Sequence, residues 1–344
     1  MALTCIFGDS FDFYDNLSIY WDTPGTDTTI DFTPGRPRTG IGCLRITSAA
    51  YGPSKVFPQS AHVMCTTAFH PNTGVPMGTK ANIMWLIDSG SGVQQVRVCY
   101  EPDLSVSVYN ANDPFPLLLG QSAPGVIVAN GYNYITCKAF IHATLGTVQI
   151  RVNGALVLDL VNVRTYNIGW SNPWVDRFQL MSYGPVSQFH DDTTLWTWDD
   201  PADDIPTTPR VYAFVPVSDS APLQWTPSAG GTHFNLLDEV PQSTADYVSD
   251  DTAGDIDQYI HGWFAGEQNP VLPATFQVLA NIHAMLAEVD VAGAHGLASD
   301  ANGSVGAATA LTTSYRYCIT ARTPGPVLSL ADLAVVPFGP DLVT

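Results

Sequence analysis

The sequence predicts an all-β fold with two antiparallel β-sandwich (jelly-roll-like) domains joined by an acidic, proline-rich linker. Three observations predict this architecture. Apolar and polar residues alternate with a period of two through most of the first 200 residues, the pattern of half-buried strands. Only 13% of the residues are charged, while Gly and Pro are frequent, as expected where many tight turns join strands. Finally, 344 residues are too many for one ordinary core and indicate two domains.

The predicted first domain covers residues 1–200 and contains the clearest strands. The segments VQQVRVCYEP and LSVSVYN predict two strands joined at residues 101–103. Further strands are predicted at 132–142, 147–152 and 155–161. The last two are separated by Asn153-Gly154, the strongest short-range hairpin signal, because both residues of a two-residue type I′ turn need positive φ. This segment therefore predicts an antiparallel sheet.

The composition changes between residues 199 and 209, where DDPADDIPTTP combines four Asp with three Pro. Proline removes ladder donors and like charges repel, so this stretch predicts a linker, which we place at 201–208. The second domain, 209–344, again reads as short strands and turns. Its segment ATFQVLANIHAMLAEVD fits both a helical stripe and strand alternation, and the surrounding strands favour a strand.

The overall charge limits the classes of partner. The formal net charge is −19, and so acidic a surface repels phosphate backbones, which argues against nucleic-acid binding. No apolar run approaches the roughly 18–20 residues of a membrane span, so membrane insertion is not expected. The start, MALTCIFGDSFDFYD, lacks the basic and apolar regions of a secretory signal. We therefore expect the chain to fold in a cytoplasm.

The cysteines predict no metal site and no disulfide framework. They stand at positions 5, 43, 65, 99, 137 and 318. None forms a CxxC pair, and most lie inside strand-like runs, whereas zinc ligands need clustered spacings. We expect reduced thiols that pack as small hydrophobic side chains.

Several segments carry a resemblance to a known family. They are FGDSFDFYDNLSIYWD, GRPRTGIGCLRI, NYITCKAFIHATLGTVQIRVNGALVLDLVNV, DDTTLWTWDDP, RVYAFVPVSDSAPLQWTPSAGGTHFNLLDEVP and ALTTSYRYCITARTPG. Together they resemble structural proteins of tailed bacteriophages that begin with a concanavalin A-like (LamG-like) jelly-roll domain. The resemblance implies a component of the virion, in the tail, a fibre, the baseplate or the capsid exterior. It also implies assembly in the host cytoplasm with other virion proteins.

The stretch FHDDTTLWTWDDPADDIPTTPR, residues 189–210, holds six aspartates and raises the question of a catalytic or metal site. Glycosidases need two facing carboxylates, but Asp191 and Asp192 are adjacent and are expected to point to opposite faces of a strand. Calcium is the alternative; its candidate ligands are Asp199, Asp200, Asp203 and Asp204. Their spacing lacks the D-x-D-x-D-G pattern of a dedicated loop. The stretch therefore predicts a closing strand followed by a solvated linker, with no cofactor and no enzymatic activity.

Two groups of aromatic residues are candidates for contacts with partners. Trp196 and Trp198 share one face of the predicted closing strand, where they either pack inside the chain or meet a partner. Because aromatic side chains dominate interface energetics, we predict interfaces with neighbouring subunits at these residues and at Trp225 and Phe234.

The second group is a candidate glycan site in YNIGWSNPWVD. Trp170 and Trp174 offer faces on which pyranose rings stack, and the amide of Asn172 can fix hydroxyl groups. The alternative is that these tryptophans only pack between strands.

The sequence therefore predicts a non-enzymatic structural component of a tailed-phage virion, acting through protein–protein interfaces and as a symmetric homo-oligomer. The competing hypothesis is a host-surface glycan-binding adhesin that uses the rim loops of the first domain. An enzyme that degrades surface polysaccharide is the third and weakest interpretation.

Overall fold

The chain is all-β throughout the residues that its structure, a computed structural model, describes. These are residues 3–12, 14, 16–33, 37–38, 42–47, 50–71, 80–111, 116–166, 171–182, 187–203, 205, 208–212, 214–238, 244–263, 281–288, 296–301, 304–305, 309–311, 313, 316–322 and 338–343. Within them, the helical elements are two single 3-10 turns, Leu17–Ile19 and Phe234–Leu236. The strands form antiparallel sheets in a sandwich arrangement, which confirms the predicted fold class.

Two compact units divide the chain. Unit 1 comprises Met1–Phe11 and Asn16–Val211, and unit 2 comprises Asp12–Asp15 and Tyr212–Thr344. The division near residue 211 lies just beyond the stretch predicted as the linker. Each unit is described by itself below.

Unit 1 contains fourteen of the described strands. They are β1 Thr4–Asp9, β2 Thr28–Asp31, β3 Cys43–Ile46, β4 Ala50–Ser60, β5 His62–Pro71, β6 Ala81–Asp88, β7 Val93–Tyr100, β8 Val106–Ala111, β9 Leu117–Gln121, β10 Asn133–Phe140, β11 Gly146–Val152, β12 Ala155–Val163, β13 Val175–Ser182 and β14 Gln188–Thr197. An eight-stranded sheet has the order β12-β11-β10-β5-β14-β3-β2, with β1 also paired to β14. A six-stranded sheet has the order β4-β13-β6-β7-β8-β9.

The core of unit 1 lies between these two sheets. The thiol of Cys65 on β5 lies 3.3 Å from the sulfur of Met84 on β6. The rings of Phe69 and Tyr100 pack at 5.5 Å between centroids. The central strands β5 and β6 are apolar along most of their length and buried on both faces, as is typical of strands in the middle of a sheet.

The predicted hairpin at Asn153-Gly154 is confirmed. Val152 of β11 pairs directly with Ala155 of β12, which leaves a two-residue turn, and φ is 51° at Asn153 and 83° at Gly154. Positive φ at both positions is the mark of the type I′ turn. Asn153 also anchors the turn to the neighbouring strand, because its side-chain oxygen accepts a hydrogen bond of 2.9 Å from the N–H of Tyr134.

The last strand of unit 1 joins the first. β14 pairs with β5 along one side, and along the other with β3 at residues 188–190 and with β1 at residues 193–197. Thr4 at the start of β1 lies directly opposite Thr197 at the end of β14. The acidic stretch therefore begins as a strand, as predicted, and this strand lies inside the sheet with neighbours on both sides.

Five cysteines have described side chains, all of them buried thiols in unit 1 that form no disulfide with one another: Cys5, Cys43, Cys65, Cys99 and Cys137. The side chain of Cys318 lies outside the described part of the structure. Desolvation raises the pKa of Cys5 to about 12 and the pKa of Cys99 to about 12. These side chains therefore remain neutral thiols that pack as small hydrophobic groups.

Unit 2 contains the remaining described strands. They are β15 Phe214–Leu223, β16 Thr226–Pro227, β17 Val248–Ser249, β18 Asp257–Trp263, β19 Asn281–Ala287, β20 Gly296–Ala301, β21 Ser304–Val305, β22 Thr309–Ala310, β23 Arg316–Arg322 and β24 Phe338–Val343. A six-stranded sheet has the order β15-β18-β24-β20-β21 with β22 also paired to β20, and β16-β17 and β19-β23 form two-stranded sheets. The strand predicted within ATFQVLANIHAMLAEVD is confirmed over Asn281–Ala287; residues 274–280 lie outside the described part of the chain.

We predict that Gly154→Ala destabilises unit 1 by about 1 kcal/mol, because an L side chain is strained at the positive φ that the turn requires. Chemical denaturation measures the effect. Gly131→Ala is the control, since a Cβ there meets its nearest neighbour, Val128 Cγ1, at 3.7 Å and we expect it to change stability by less than about 0.5 kcal/mol. Equal effects of the two variants would contradict the role of the turn.

His190 predicts a pH-dependent stability. Burial lowers its pKa to about 3 from the usual 6.5, outweighing the opposite effect of its contact with the Met181 carbonyl. The unfolded chain therefore binds the proton more tightly, and stability falls as the pH drops from about 6.5 towards 3. In that window, His190→Gln should reduce the slope of unfolding free energy against pH by about 1.4 kcal/mol per pH unit. Denaturation at pH 7.5, where the wild-type histidine is neutral, gives the packing cost of the substitution separately. An unchanged slope would contradict the assignment.

Candidate functional site

A β-bulge brings the two adjacent aspartates of the acidic stretch together. Between Asp191 and Thr194 the pairing of β14 with β5 shifts register by one residue, and Asp192 has a φ of 45°. The extra residue breaks the alternation of the strand. The expectation that Asp191 and Asp192 point to opposite faces is therefore wrong, because both carboxylates reach the same residue, Arg38.

The carboxylates at the bulge are fully engaged in hydrogen bonds. The backbone N–H of Arg38 donates to Asp191 Oδ2 at 2.6 Å, and its guanidinium pairs with Asp192 Oδ2. The other oxygen of Asp192 accepts from the N–H of Val211 at 2.7 Å. Both aspartates are completely buried. A buried carboxylate stabilises a fold only when such partners compensate its desolvation. The cluster thus ties two distant segments, at Arg38 and at Val211, to β14.

A second chain of hydrogen bonds lies beside the cluster. The hydroxyl of Tyr134 donates to Thr66 at 2.6 Å, Thr66 and Thr194 share a bond of 2.6 Å, and the indole of Trp196 donates to Thr194 at 2.6 Å. Burial raises the pKa of Tyr134, against the lowering effect of its bond to Thr66. The phenol therefore remains a neutral donor. These side chains are held by one another, which suits a structural role.

Trp196 and Trp198, predicted as interface residues, are buried with relative exposures of 2% and 5%. The indole of Trp198 stacks on His62 at 4.3 Å, and the ammonium of Lys138 lies 4.6 Å from its ring centroid. Lys138 also donates to the carbonyls of Pro201 and Asp203. This part of the predicted linker is thus bonded to the sheet. Neither indole offers a free face to a neighbouring subunit in this arrangement.

The predicted interface residues of unit 2 lie beside two aspartates. The N–H of Trp225 donates to Asp257 at 2.9 Å, and the N–H of Phe234 donates to Asp219 at 2.8 Å. Asp257 is buried and also contacts the ring of His233 at 2.6 Å. Trp225 and Phe234 are half-buried. Their assignment to an interface between subunits stays a prediction.

The predicted glycan site falls partly outside the described residues, since Trp170 does. The side-chain amide of Asn172 donates to Asp88 at 3.0 Å, and its backbone N–H donates to the same oxygen at 2.8 Å. The carbonyls of Asn172 and Trp174 accept from the amide of Gln95. These bonds fix the rim loop, so the Asn172 amide already has a partner. Trp174 is half-buried.

Asp88 organises this rim loop. Burial acts to raise its pKa, but hydrogen bonds from Ser91 and Asn172 outweigh burial, and the pKa is lowered overall. Its ionised form therefore contributes to the stability of the loop.

Two of the candidate calcium ligands accept hydrogen bonds from backbone N–H groups within a turn. Asp200 Oδ1 accepts the N–H of Ala202 at 2.8 Å, and Asp203 Oδ2 accepts the N–H of Asp200 at 3.2 Å. Asp204 lies outside the described residues. In the described part of the chain, no group of three or more His, Cys, Asp or Glu side chains is arranged to hold a metal ion. A search of the same residues finds no helix of sufficient length and hydropathy to cross a membrane.

One face of the six-stranded sheet carries a row of polar and aromatic side chains that the sequence did not single out. Gln179, Trp85, Arg97 and Tyr109 are direct cross-strand partners on β13, β6, β7 and β8. Met84, next to Trp85, contacts the other sheet, so the row points away from the core. We call it the sheet-face row. In the sequence, the only local sign of this row is a charged or bulky polar residue inside an otherwise apolar strand.

An apolar edge is the second surface that the sequence did not reveal. β12 ends the eight-stranded sheet and β9 ends the six-stranded sheet. Leu160 of β12 packs against Gly120 of β9, where an added Cβ would meet its Cδ2 at 2.6 Å. Four large apolar side chains of these strands are exposed by 45–63%: Leu117, Leu118, Leu156 and Val161. We call these two strands the apolar edge.

Comparisons with known proteins show distant similarity only. No protein-family model matches the chain, and no curated protein matches its sequence. Among solved structures, the cellulose-induced protein Cip1 is 11% identical over 55% of this chain and 96% of its own, with a TM-score of 0.38. The alginate lyase vAL-1 from a Chlorella virus is 11% identical over 56% of this chain and 100% of its own, with a TM-score of 0.41.

A carbohydrate esterase from the Shiga toxin-encoding bacteriophage phi24B is 10% identical over 56% of this chain and 100% of its own, with a TM-score of 0.36. Similarities at this level carry no argument about what this chain binds or does.

The cluster at the bulge predicts a large effect of one isosteric substitution. Asp192→Asn should destabilise unit 1 by about 3 kcal/mol, because it leaves the Arg38 guanidinium without its buried counter-charge. Asp199→Asn, at an exposed aspartate on the same stretch, should change stability by less than about 0.5 kcal/mol. Urea denaturation compares the two. A similar small effect of both would show that the ion pair is not structural.

Proposed function

We propose that this chain is a non-enzymatic structural component of a tailed-phage particle that acts through protein–protein contacts. The apolar edge carries the proposal. An edge strand exposes unpaired backbone groups, and soluble proteins usually protect it with charged residues or proline. β12, ALVLDLVNV, has a single charged residue, Asp159, and β9, LLLGQ, has none.

The contact made by the apolar edge is through side chains. Register shifts interrupt the pairing of β12 with β11 at two places, and Asn162 has a φ of 56°. Such irregularities prevent simple extension of the sheet by another strand. The exposed leucines and valine remain, and contiguous exposed apolar surface marks an interaction site.

The partner that fits this edge is a second copy of the chain. The net charge of −19 makes two copies repel each other over most of their surfaces. The repulsion is least where the surface carries few charges, and the apolar edge is such a place. A symmetric contact between two copies buries the same leucines twice. This supports the homo-oligomer expected of a virion component.

The carboxylates of the acidic stretch support the absence of enzymatic activity. Asp191 and Asp192 accept backbone and guanidinium donors and are buried, so neither is placed to protonate a leaving group or attack a substrate. The assignment to a phage particle, and to assembly in the host cytoplasm, rests on the resemblance to tailed-phage structural proteins. The glycan-binding adhesin that uses rim loops stays the alternative, although Asn172 is committed to Asp88.

The proposal predicts that Val161→Lys weakens self-association of the purified chain by about ten-fold or more, since it places a charge in an apolar contact. Sedimentation equilibrium measures the dissociation constant. Phe32→Lys is the matched control, because Phe32 is 41% exposed and follows β2 at the opposite edge of the same sheet. A wild-type chain that stays monomeric at all concentrations, or equal weakening by both variants, would contradict the proposal.

A further inference from the structure

We propose that the sheet-face row binds a carboxylated polysaccharide, such as a chain of uronic acids. This site lies on the outer face of the six-stranded sheet and goes beyond the structural role proposed above; its last member, Tyr109, pairs with Leu118 of the apolar edge. Four directly paired residues span four strands in the row. Adjacent strands lie about 4.8 Å apart, so the row is roughly 14 Å long. Gln179 and Trp85 are buried, and a sugar chain reaches the row at the partly exposed Arg97 and Tyr109.

The row concentrates positive charge in an acidic protein. The whole chain has 13 Lys and Arg residues against 32 Asp and Glu, yet three of the cations lie here. Arg97 belongs to the row. Arg177 pairs with Ile87, which is on the same face of β6 as Trp85. The ammonium of Lys80 lies 3.2 Å from the ring centroid of Tyr109. Anionic ligands are therefore favoured at this face and repelled elsewhere.

The guanidinium groups have unused hydrogen-bonding capacity. In the described part of the chain, Arg97 donates from Nη2 to Gln94 at 2.6 Å, while its Nε is buried without a partner. The Nε of Arg177 is also buried without a described partner, and so is the indole nitrogen of Trp85, a residue only 5% exposed. Buried donors without acceptors are costly. The Arg97 residue as a whole is partly exposed, and a carboxylate that reaches its guanidinium accepts N–H bonds in the geometry that this group prefers.

Aromatic side chains hold the cations in place and offer surfaces for stacking. The guanidinium of Arg97 lies 4.8 Å above the ring of Trp85, a cation–π contact that orients it. Trp85 is thus a positioning residue. Tyr51 packs edge-on against Trp85 at 6.0 Å and is 57% exposed, so its ring is open to the face of a sugar. Alternating aromatic and cationic groups fit a polymer that alternates apolar ring faces with carboxylates.

The arrangement favours binding over catalysis. Glu101, beside the row, accepts hydrogen bonds from Ser107 and Tyr109 and pairs with Lys80 at 3.5 Å. Its charge is therefore already compensated. A nucleic acid is disfavoured because its dense phosphates would meet the surrounding acidic surface, whereas a uronate chain carries one charge per ring.

The test is isothermal titration calorimetry of the full chain with hexagalacturonate, and with maltohexaose as the neutral hexasaccharide of equal length. We expect hexagalacturonate to bind and maltohexaose not to bind. Arg97→Gln should weaken binding by about ten-fold or more, because it removes the charged fork. Arg45→Gln removes the same charge from an exposed residue on β3 and should leave affinity within about two-fold.

A second variant tests the same site in case Arg97→Gln fails to fold. Lys80→Gln changes a side chain that is 36% exposed, so the fold should persist, as checked by thermal melting, and affinity should fall. Four results would overturn the proposal: no binding of hexagalacturonate, equal binding of maltohexaose, equal loss in Arg45→Gln, or tighter binding of a single-stranded oligonucleotide. Val161→Lys should retain full affinity, which separates this site from the proposed self-association.

Discussion

Buried aspartates need hydrogen-bond donors, and this chain has few cations to supply them. Much of the structure follows from the donors that these aspartates use instead. Most are satisfied by backbone N–H groups and by neutral side chains. Asp9 accepts from the N–H of Phe11 and from the indole of Trp21, and Asp88 and Asp257 serve the loops around them in the same way. Each bond fixes a loop or a crossing segment against a strand. Because a buried carboxylate without such partners is costly, these loops have little freedom to rearrange.

The need to compensate buried carboxylates determines where several of the cations lie. In the part of the chain that the structure describes, Arg38 binds the one position, at the bulge of β14, where two adjacent carboxylates are buried together. Lys138 donates hydrogen bonds to backbone carbonyls of the acidic segment that follows. Arg97 and Arg177 form no ion pair with a carboxylate among the described residues, and both lie on one sheet face. The positive face and the acidic loops are thus two results of the same distribution of charge.

Local patterns in the sequence were sufficient for the strands and turns. Alternation located β7, β8, β10, β11 and β12, and Asn153-Gly154 gave the turn and its register, because positive φ is a local requirement. The bulge at Asp191-Asp192 could not be predicted, because the sequence pattern there is that of a regular strand. The irregularity arises where the neighbouring strand changes from β3 to β1. The row from Gln179 to Tyr109 could not be predicted from the sequence either. Its members lie on four strands, and only the register of the sheet makes them adjacent. Burial of Trp196 and Trp198 likewise depends on distant partners such as His62.

The pairing of Thr4 with Thr197 has a mechanical consequence. The first and last strands of unit 1 are antiparallel neighbours, and their outer ends lie side by side. A pulling force applied between Thr4 and Thr197 would load the backbone hydrogen bonds between these strands one after another, from the open end inward. Bonds loaded in sequence separate at lower force than bonds sheared together. Unit 1 would therefore unfold at low force and lengthen under tension.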